Sequence, residues 1–167
     1  RGTNCRLNDP VFERGLRDFM AVCNVVKTFR NMRILQISTR PYEFWSTMCN
    51  EGELLEKFNI QLAPIPMPEL TAQVKLAKEE GREVKRVMEY CRQTMDVKVK
   101  EEELENIAAM KVAMKRLAVK YGCNAVAIQC WNALQGELGI MPCAANSLLN
   151  EEGLPVVCET DIHGAIT

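Results

Sequence analysis

Two carboxylate residues, Glu137 and Asp161, each follow a short apolar segment of the kind that forms a buried strand. Carboxylate oxygens are ligands that hard divalent cations prefer, so a converging pair could hold such a metal. One of them could also move a proton between neighbouring carbon atoms of a substrate. The metal would polarise the substrate's oxygens and stabilise an enediol-like intermediate. Each residue is also placed to cap the following helix, and the pattern alone favours this capping interpretation.

Apolar segments and helical periodicities alternate along the chain and predict the elements that position these residues. Segments typical of buried parallel strands lie at residues 33–38, 60–63, 125–130 and 154–158. Apolar spacing predicts a helix before the first of them, at residues 10–26, and helices between them at residues 43–58, 70–91, 101–121 and 142–150. Residues 64–68 are expected to form an ordered loop. Such a βαβ series predicts an α/β fold, a three-layer Rossmann-like (flavodoxin-like) domain with a mainly parallel sheet.

Ligands of open parallel sheets bind beyond the carboxyl ends of the strands. This rule selects four polar segments, which are residues 39–42, Glu69 in the loop after the second strand, residues 129–137 and residues 159–164. We therefore expect Glu137 and Asp161 at the same edge of the sheet.

Several function classes find no support in the sequence. No glycine-rich phosphate loop, serine nucleophile elbow or Cys-x-x-Cys pair occurs among the 167 residues. The net charge of −1 lacks the excess of basic residues that nucleic-acid binders use to neutralise phosphates, so no nucleic-acid partner is expected. No apolar stretch approaches the roughly 20 residues that span a bilayer, so no membrane partner is expected. The eight cysteines lie mostly in apolar surroundings, which indicates a reducing, cytoplasmic location.

Two motifs resemble those of a known family. The segment PVVCETDIHGAIT at residues 155–167 resembles the Glu-x-Asp-x-x-Gly-Ala-Leu/Ile-Thr motif of the L-fucose isomerase and L-arabinose isomerase-like sugar ketol-isomerases. The segment CWNALQGELG at residues 130–139 is similar to the one that carries the family's other acidic residue. Arg40-Pro41 and residues 50–58 resemble shorter relatives. The resemblance implies a leading segment and helix at residues 1–32, a central Rossmann-like domain at 33–158 and the start of a truncated C-terminal domain at 159–167.

The resemblance also implies an activity, a metal and partners. It implies an aldose–ketose isomerase, an intramolecular oxidoreductase that acts on a monosaccharide through an enediol. Glu137 aligns with the glutamate that binds manganese and acts as acid and base, and Asp161 with the aspartate ligand. The family's third ligand is a histidine far downstream, whereas His163 falls at a variable position and has an ordinary surface or supporting role. We expect further N- and C-terminal domains, a homo-oligomer, and neither tight manganese binding nor activity in this fragment alone.

Four more residues are candidates for substrate binding or for supporting the site: Arg40, Trp131, Asn132 and Glu159. Three roles are open for Arg40: it could bind a substrate hydroxyl, contact a neighbouring subunit or form a structural salt bridge. Two are open for Trp131, which could line a sugar pocket or belong to the core. Glu159 shares a strand face with Asp161 if the chain stays extended. Two other functions stay open, a sugar-binding relative without catalysis and a flavodoxin-like binding module.

Overall fold

The predicted strands form one parallel sheet in a computed structural model of the chain, which describes residues 5–167. Its strand order is β2-β1-β3-β4 and all three strand pairs are parallel. The strands are β1 (Arg33–Ile37), β2 (Gln61–Ile65), β3 (Ala125–Ile128) and β4 (Val156–Val157). Helices flank the sheet, which confirms the predicted three-layer α/β architecture.

The helices of the described residues include long ones between the strands and two short ones beside the candidate site. They are α1 (Pro10–Phe29), α2 (Glu51–Phe58), α3 (Met67–Glu80), α4 (Arg82–Thr94), α5 (Glu101–Tyr121), α6 (Ala133–Leu138), α7 (Cys143–Glu151) and α8 (Ile162–Ile166). A 3-10 turn, Trp45–Thr47, precedes α2. Within residues 5–167, no helix has the length and apolar character needed to cross a membrane.

Side chains of each strand alternate between two apolar cores, as the two-residue period of a strand requires. On one face, Leu35, Val126 and Ile128 pack with α3, α4, α5 and α7 into the larger core. On the other face, Ile34 and Ala127 pack with residues of α2 and α8 into a smaller one. The thin second layer therefore depends on α8, the helix that begins beside Asp161.

Three predicted segments were wrong in detail. Residues 43–58 do not form one helix, because the Asn50 side chain caps α2 by accepting a hydrogen bond from the Glu53 N–H at 3.1 Å. Residues 64–68 are not a loop. Pro64 lies in β2, an edge strand that tolerates the missing N–H, and Pro66 and Pro68 lie at the start of α3.

The long helix predicted over residues 70–91 is two helices. Gly81, expected to be its weak point, has a φ of +69° and ends α3 where α4 begins. This left-handed conformation favours glycine and stops the helical hydrogen-bond pattern. Gly122 ends α5 in the same way, at the position predicted from the sequence.

Candidate active site

The loops that lead to Glu137 and Asp161 leave neighbouring strands at the same edge of the sheet. Both follow the carboxyl ends of the parallel pair β3 and β4. The Thr160 N–H donates to the Ile128 carbonyl at 3.1 Å, so the loop after β4 is attached to the end of β3. The Ser38 hydroxyl donates to the Gln129 Oε1 at 2.7 Å, so the residue after β1 is hydrogen-bonded to the residue after β3.

Asp161 is the N-cap of α8. Its Oδ1 accepts a hydrogen bond from the Gly164 N–H at 3.0 Å, which confirms the capping role. A Cβ on Gly164 would lie 2.7 Å from the Asp161 Oδ2, so any larger residue here would displace the Asp161 carboxylate. The half-buried carboxylate is still near the surface and keeps Oδ2 available for a ligand. Capping and metal binding are therefore compatible for Asp161.

Glu137 lies in the last turn of α6, where its side chain is exposed. Within residues 5–167 it forms no hydrogen bond or ion pair that would occupy its carboxylate. The alternative prediction, that Glu137 caps the following helix, was wrong because Pro142 is the N-cap residue of α7. Glu137 is free to bind a ligand or to exchange a proton with one.

Glu159 does not share a strand face with Asp161, because the chain is not extended between them. Glu159 and Thr160 have φ values of +59° and +53°, so two consecutive residues other than glycine adopt the left-handed conformation. This conformation costs energy, especially for the β-branched Thr160, and such strain clusters at functional sites. Glu159 turns inward instead, and its Oε1 accepts a hydrogen bond from the Cys130 thiol at 2.8 Å.

Cys130 is a hydrogen-bond donor and not a nucleophile. Burial and the hydrogen bond to Glu159 raise the pKa of its thiol to about 12. The thiol is therefore protonated at neutral pH and orients the Glu159 carboxylate. The second oxygen of that carboxylate, Oε2, and the Thr160 hydroxyl are buried and have no hydrogen-bond partner among residues 5–167. Buried polar atoms of folded proteins are usually hydrogen-bonded, so these two atoms of the loop could accept a ligand or a water molecule.

An aromatic cluster lies beside the carboxyl ends of β1 and β3. Phe44 and Trp131 are in edge-to-face contact, with ring centroids 5.7 Å apart, and Tyr42 and Trp45 form a similar pair at 5.8 Å. Trp131 is 50% exposed, so the prediction of a core tryptophan was wrong. Phe44 and Trp45 were not among the predicted site residues, since only the folded loops bring them near Trp131.

Arg40 belongs to the same cluster. Its guanidinium carbon lies 4.8 Å from the ring centroid of Trp45, and its Nη1 donates to the carbonyl oxygens of Pro41 and Tyr42 at 3.2 and 3.0 Å. Arg40 has no carboxylate partner within residues 5–167, so the structural salt bridge considered above is absent there. Its Nε and Nη2 groups remain available as a two-pronged donor.

The other predicted candidates lie apart from this chemistry. Asn132 is exposed, with a φ of +59°, and begins α6 without a side-chain capping bond. His163 is exposed on α8 and lines a small cavity of about 280 Å³ with Asn50 and Phe58. Glu69 is not in a loop but in the first turn of α3, where hydrogen bonds from Lys120 and Tyr121 lower its pKa.

A divalent cation fits the donor chemistry of this edge only in part. Glu137 and Asp161 offer carboxylate oxygens, the donors that manganese and similar cations accept. In the described part of the chain, no three His, Cys, Asp or Glu side chains converge closely enough to hold a metal. A groove of about 900 Å³ lies on the helical layer between α4, α5 and α7, away from these residues. The carboxyl edge of the sheet remains the candidate site.

Comparisons with known proteins point to sugar isomerases. The chain is 26% identical over 160 residues to a sulfoquinovose isomerase of Alkalicoccus urumqiensis, a match that covers 96% of this chain and 36% of that protein. It is 29% identical over 156 residues to the sulfoquinovose isomerases of Priestia aryabhattai and Priestia megaterium, which covers 93% of this chain and 34% of theirs. The chain thus spans about a third of the length of these curated relatives. No protein-family model matches it.

These matches support a sugar isomerase family. They do not single out the L-fucose and L-arabinose isomerases that the motifs at residues 130–139 and 155–167 resemble.

Proposed function

We propose that this chain is the central part of a metal-dependent isomerase that interconverts an aldose and a ketose through an enediol. One observation carries the proposal, the similarity to sulfoquinovose isomerases over 93–96% of the chain. The positions of Glu137 and Asp161 support it, because their loops leave adjacent strands at one edge of the sheet.

Glu137 is the proposed acid and base. As a base, its carboxylate removes a proton from the carbon beside the sugar carbonyl, which leaves an enediolate with the negative charge on the former carbonyl oxygen. The hydroxyl proton of the neighbouring carbon then passes to that oxygen. The protonated carboxyl then returns the proton to the other carbon, so aldose becomes ketose with no net change in protons or electrons. Its exposed position in α6, without a protein partner in the described residues, leaves the carboxylate available for this transfer.

Glu137 and Asp161 are also the proposed ligands of manganese or a similar divalent cation. When bound, the cation would polarise the carbonyl and hydroxyl oxygens of the substrate. Asp161 is held for this role by α8, since the Gly164 N–H fixes the rotamer of its carboxylate. We propose that the remaining ligands come from parts of a longer polypeptide or from a neighbouring subunit of a homo-oligomer.

The proposed substrate is a monosaccharide with an anionic group, the class named by the sulfoquinovose isomerases. The half-buried guanidinium of Arg40 would bind the anionic group through Nε and Nη2, because its Nη1 is already used by backbone carbonyls. The exposed ring of Trp131 would pack against the apolar face of the sugar.

The test uses the longer polypeptide that we propose contains this chain. Glu137→Gln keeps the size of the side chain but removes its charge and its basicity. We expect isomerisation with added manganese to fall about 10²–10⁴-fold, because this is the usual contribution of general acid–base catalysis. Deuterium uptake from D₂O at the sugar carbons should fall in parallel.

The matched control is Glu79→Gln on the exposed side of α3, which should leave turnover and exchange unchanged. An active Glu137→Gln protein would remove Glu137 from the mechanism. Binding of sugars without turnover by the unaltered protein would favour a non-catalytic relative instead. The observed strand order is compatible with enzymes and binding modules alike, so the activity assay decides between them.

A further inference from the structure

The helix α1 exposes a broad apolar face to solvent. None of its 20 residues is buried, and its large apolar side chains have exposed fractions between 36% and 68%. They share one wide arc of the helix: Val11, Phe12, Leu16, Phe19, Met20, Val22, Val25 and Val26. The helix is attached to the rest of the fold near its end, where Phe29 meets Phe58 at 5.4 Å. A face of this kind marks an interaction surface.

The exposed area suits a specific protein interface. Multiplying the exposed fractions by typical side-chain areas gives on the order of 800 Å² of apolar surface on α1, close to what each partner contributes to a standard interface. Scattered exposed apolar residues would need no explanation, but an arc that runs along more than four helical turns does. The central residue of the arc, Phe19, is 63% exposed and would be the main anchor.

Two charges beside the arc are complementary in a pair of antiparallel α1 helices. Glu13 and Lys27 each lie seven residues from Met20, on the same edge of the helix. A two-fold axis near Met20 that relates two antiparallel copies of α1 would bring Glu13 of each copy beside Lys27 of the other. One ion pair then forms at each end of the helix pair. The antiparallel arrangement also places the positive N-terminal end of each helix dipole beside the negative C-terminal end of the other, which is favourable.

We propose that α1 pairs antiparallel with α1 of a second copy of this chain, about a two-fold axis near Phe19 and Met20. The pairing covers the central part of the apolar face, around Phe19, and leaves the carboxyl edge of the sheet accessible. It specifies the surface of the homo-oligomer expected above and does not rest on the proposed isomerase activity.

Sedimentation velocity of the chain between about 1 and 100 μM tests the pairing. We expect a dimer with a dissociation constant on the order of micromolar, and Phe19→Asp should weaken it about 30-fold or more, as loss of a central aromatic anchor does. Val119→Asp is the matched control, because Val119 is 77% exposed on α5, outside the proposed interface. It should leave the dimer unchanged, and circular dichroism checks that both variants keep their helices.

A charge exchange tests the antiparallel register without removing any apolar contact. Glu13→Lys and Lys27→Glu should each weaken the dimer by about 3–10-fold, and the double variant should restore most of the affinity. A monomer at 100 μM would overturn the proposal, and so would a dimer that Phe19→Asp leaves intact. A double variant no tighter than the single ones, or binding of α1 to anionic vesicles in place of dimerisation, would also overturn it.

Discussion

Substitutions at Asp161 separate its capping role from its proposed metal-binding role. In the unaltered chain the Gly164 N–H donates to Asp161 Oδ1 at 3.0 Å. Asparagine is as good an N-cap as aspartate, because its side-chain oxygen can accept the same hydrogen bond. Asp161→Asn thus keeps the cap and removes the negative charge. Asp161→Ala removes both, so the two variants differ by the cap alone.

The structure sets the size of each effect. Loss of an N-cap costs about 1 kcal/mol of unfolding free energy. Although α8 has only five residues, Ile162 and Ala165 are buried in the smaller core, so fraying of α8 is coupled to the stability of the sheet. For a chain of this size, about 1 kcal/mol lowers Tm by roughly 2–4 °C. Asp161→Ala should show this shift, and Asp161→Asn should stay within about 1 °C of the unaltered protein.

The metal-dependent measurements should rank the variants differently. In the longer polypeptide, both Asp161 variants should lose manganese affinity by titration calorimetry, and both should lose isomerase turnover. Asn50→Ala is the control, because it removes the N-cap of α2 and should lower Tm by a similar amount with turnover retained. An Asp161→Asn protein that binds manganese and turns over normally would refute the ligand role and leave Asp161 as a cap only.

Three further predictions concern the surroundings of the site and the core. Gly164→Ala should lower stability by about 1 kcal/mol although alanine favours helices, because the new Cβ displaces the α8 N-cap carboxylate, and thermal melting measures this loss. Cys130 should resist alkylation at pH 8, since a pKa of about 12 leaves only about 1 thiol in 10⁴ ionised. The exposed Cys143 should react, and peptide mass spectrometry distinguishes the two cysteines. Glu152→Gln should cost about 1–2 kcal/mol at pH 7, because buried Lys111 loses its carboxylate partner. Burial raises the Glu152 pKa, but its lysine partners outweigh this and hold the pKa below its usual range. The cost, measured by urea titration, should therefore decline as the pH falls below the ordinary range of a carboxyl and the wild-type group is protonated.

Local signals predicted most of the fold correctly. Asp9 followed by Pro10 marked the start of α1, and Gly122 marked the end of α5, because capping depends on neighbouring residues alone. The signals failed where position in the sheet decides the outcome. Pro64 is a strand residue only because β2 lies at the edge, and no local pattern reveals the strand order.

The candidate site was predictable in its residues but less so in its geometry. The chain positions of Glu137 and Asp161 after two strands follow from the sequence, and their common sheet edge follows from the parallel order. The inward turn of the Glu159 side chain could not be predicted. It depends on a positive φ at Glu159 and Thr160, which residues other than glycine rarely adopt and which no sequence pattern indicates here. The contact between Phe44 and Trp131 depends on two loops from distant parts of the chain.

The pairing of β1 with β3 has a consequence for the order of folding. Two hydrogen bonds join these strands near their ends, from the Arg33 N–H to the Asn124 Oδ1 and from the Ser38 hydroxyl to the Gln129 Oε1, and each connects residues 91 positions apart. Loop closure over such a distance is slow compared with formation of a helix. We therefore expect the helical signal to recover early during refolding from urea. The fluorescence of Trp45 and Trp131, whose loops flank this strand pair, should recover only when the central strands join.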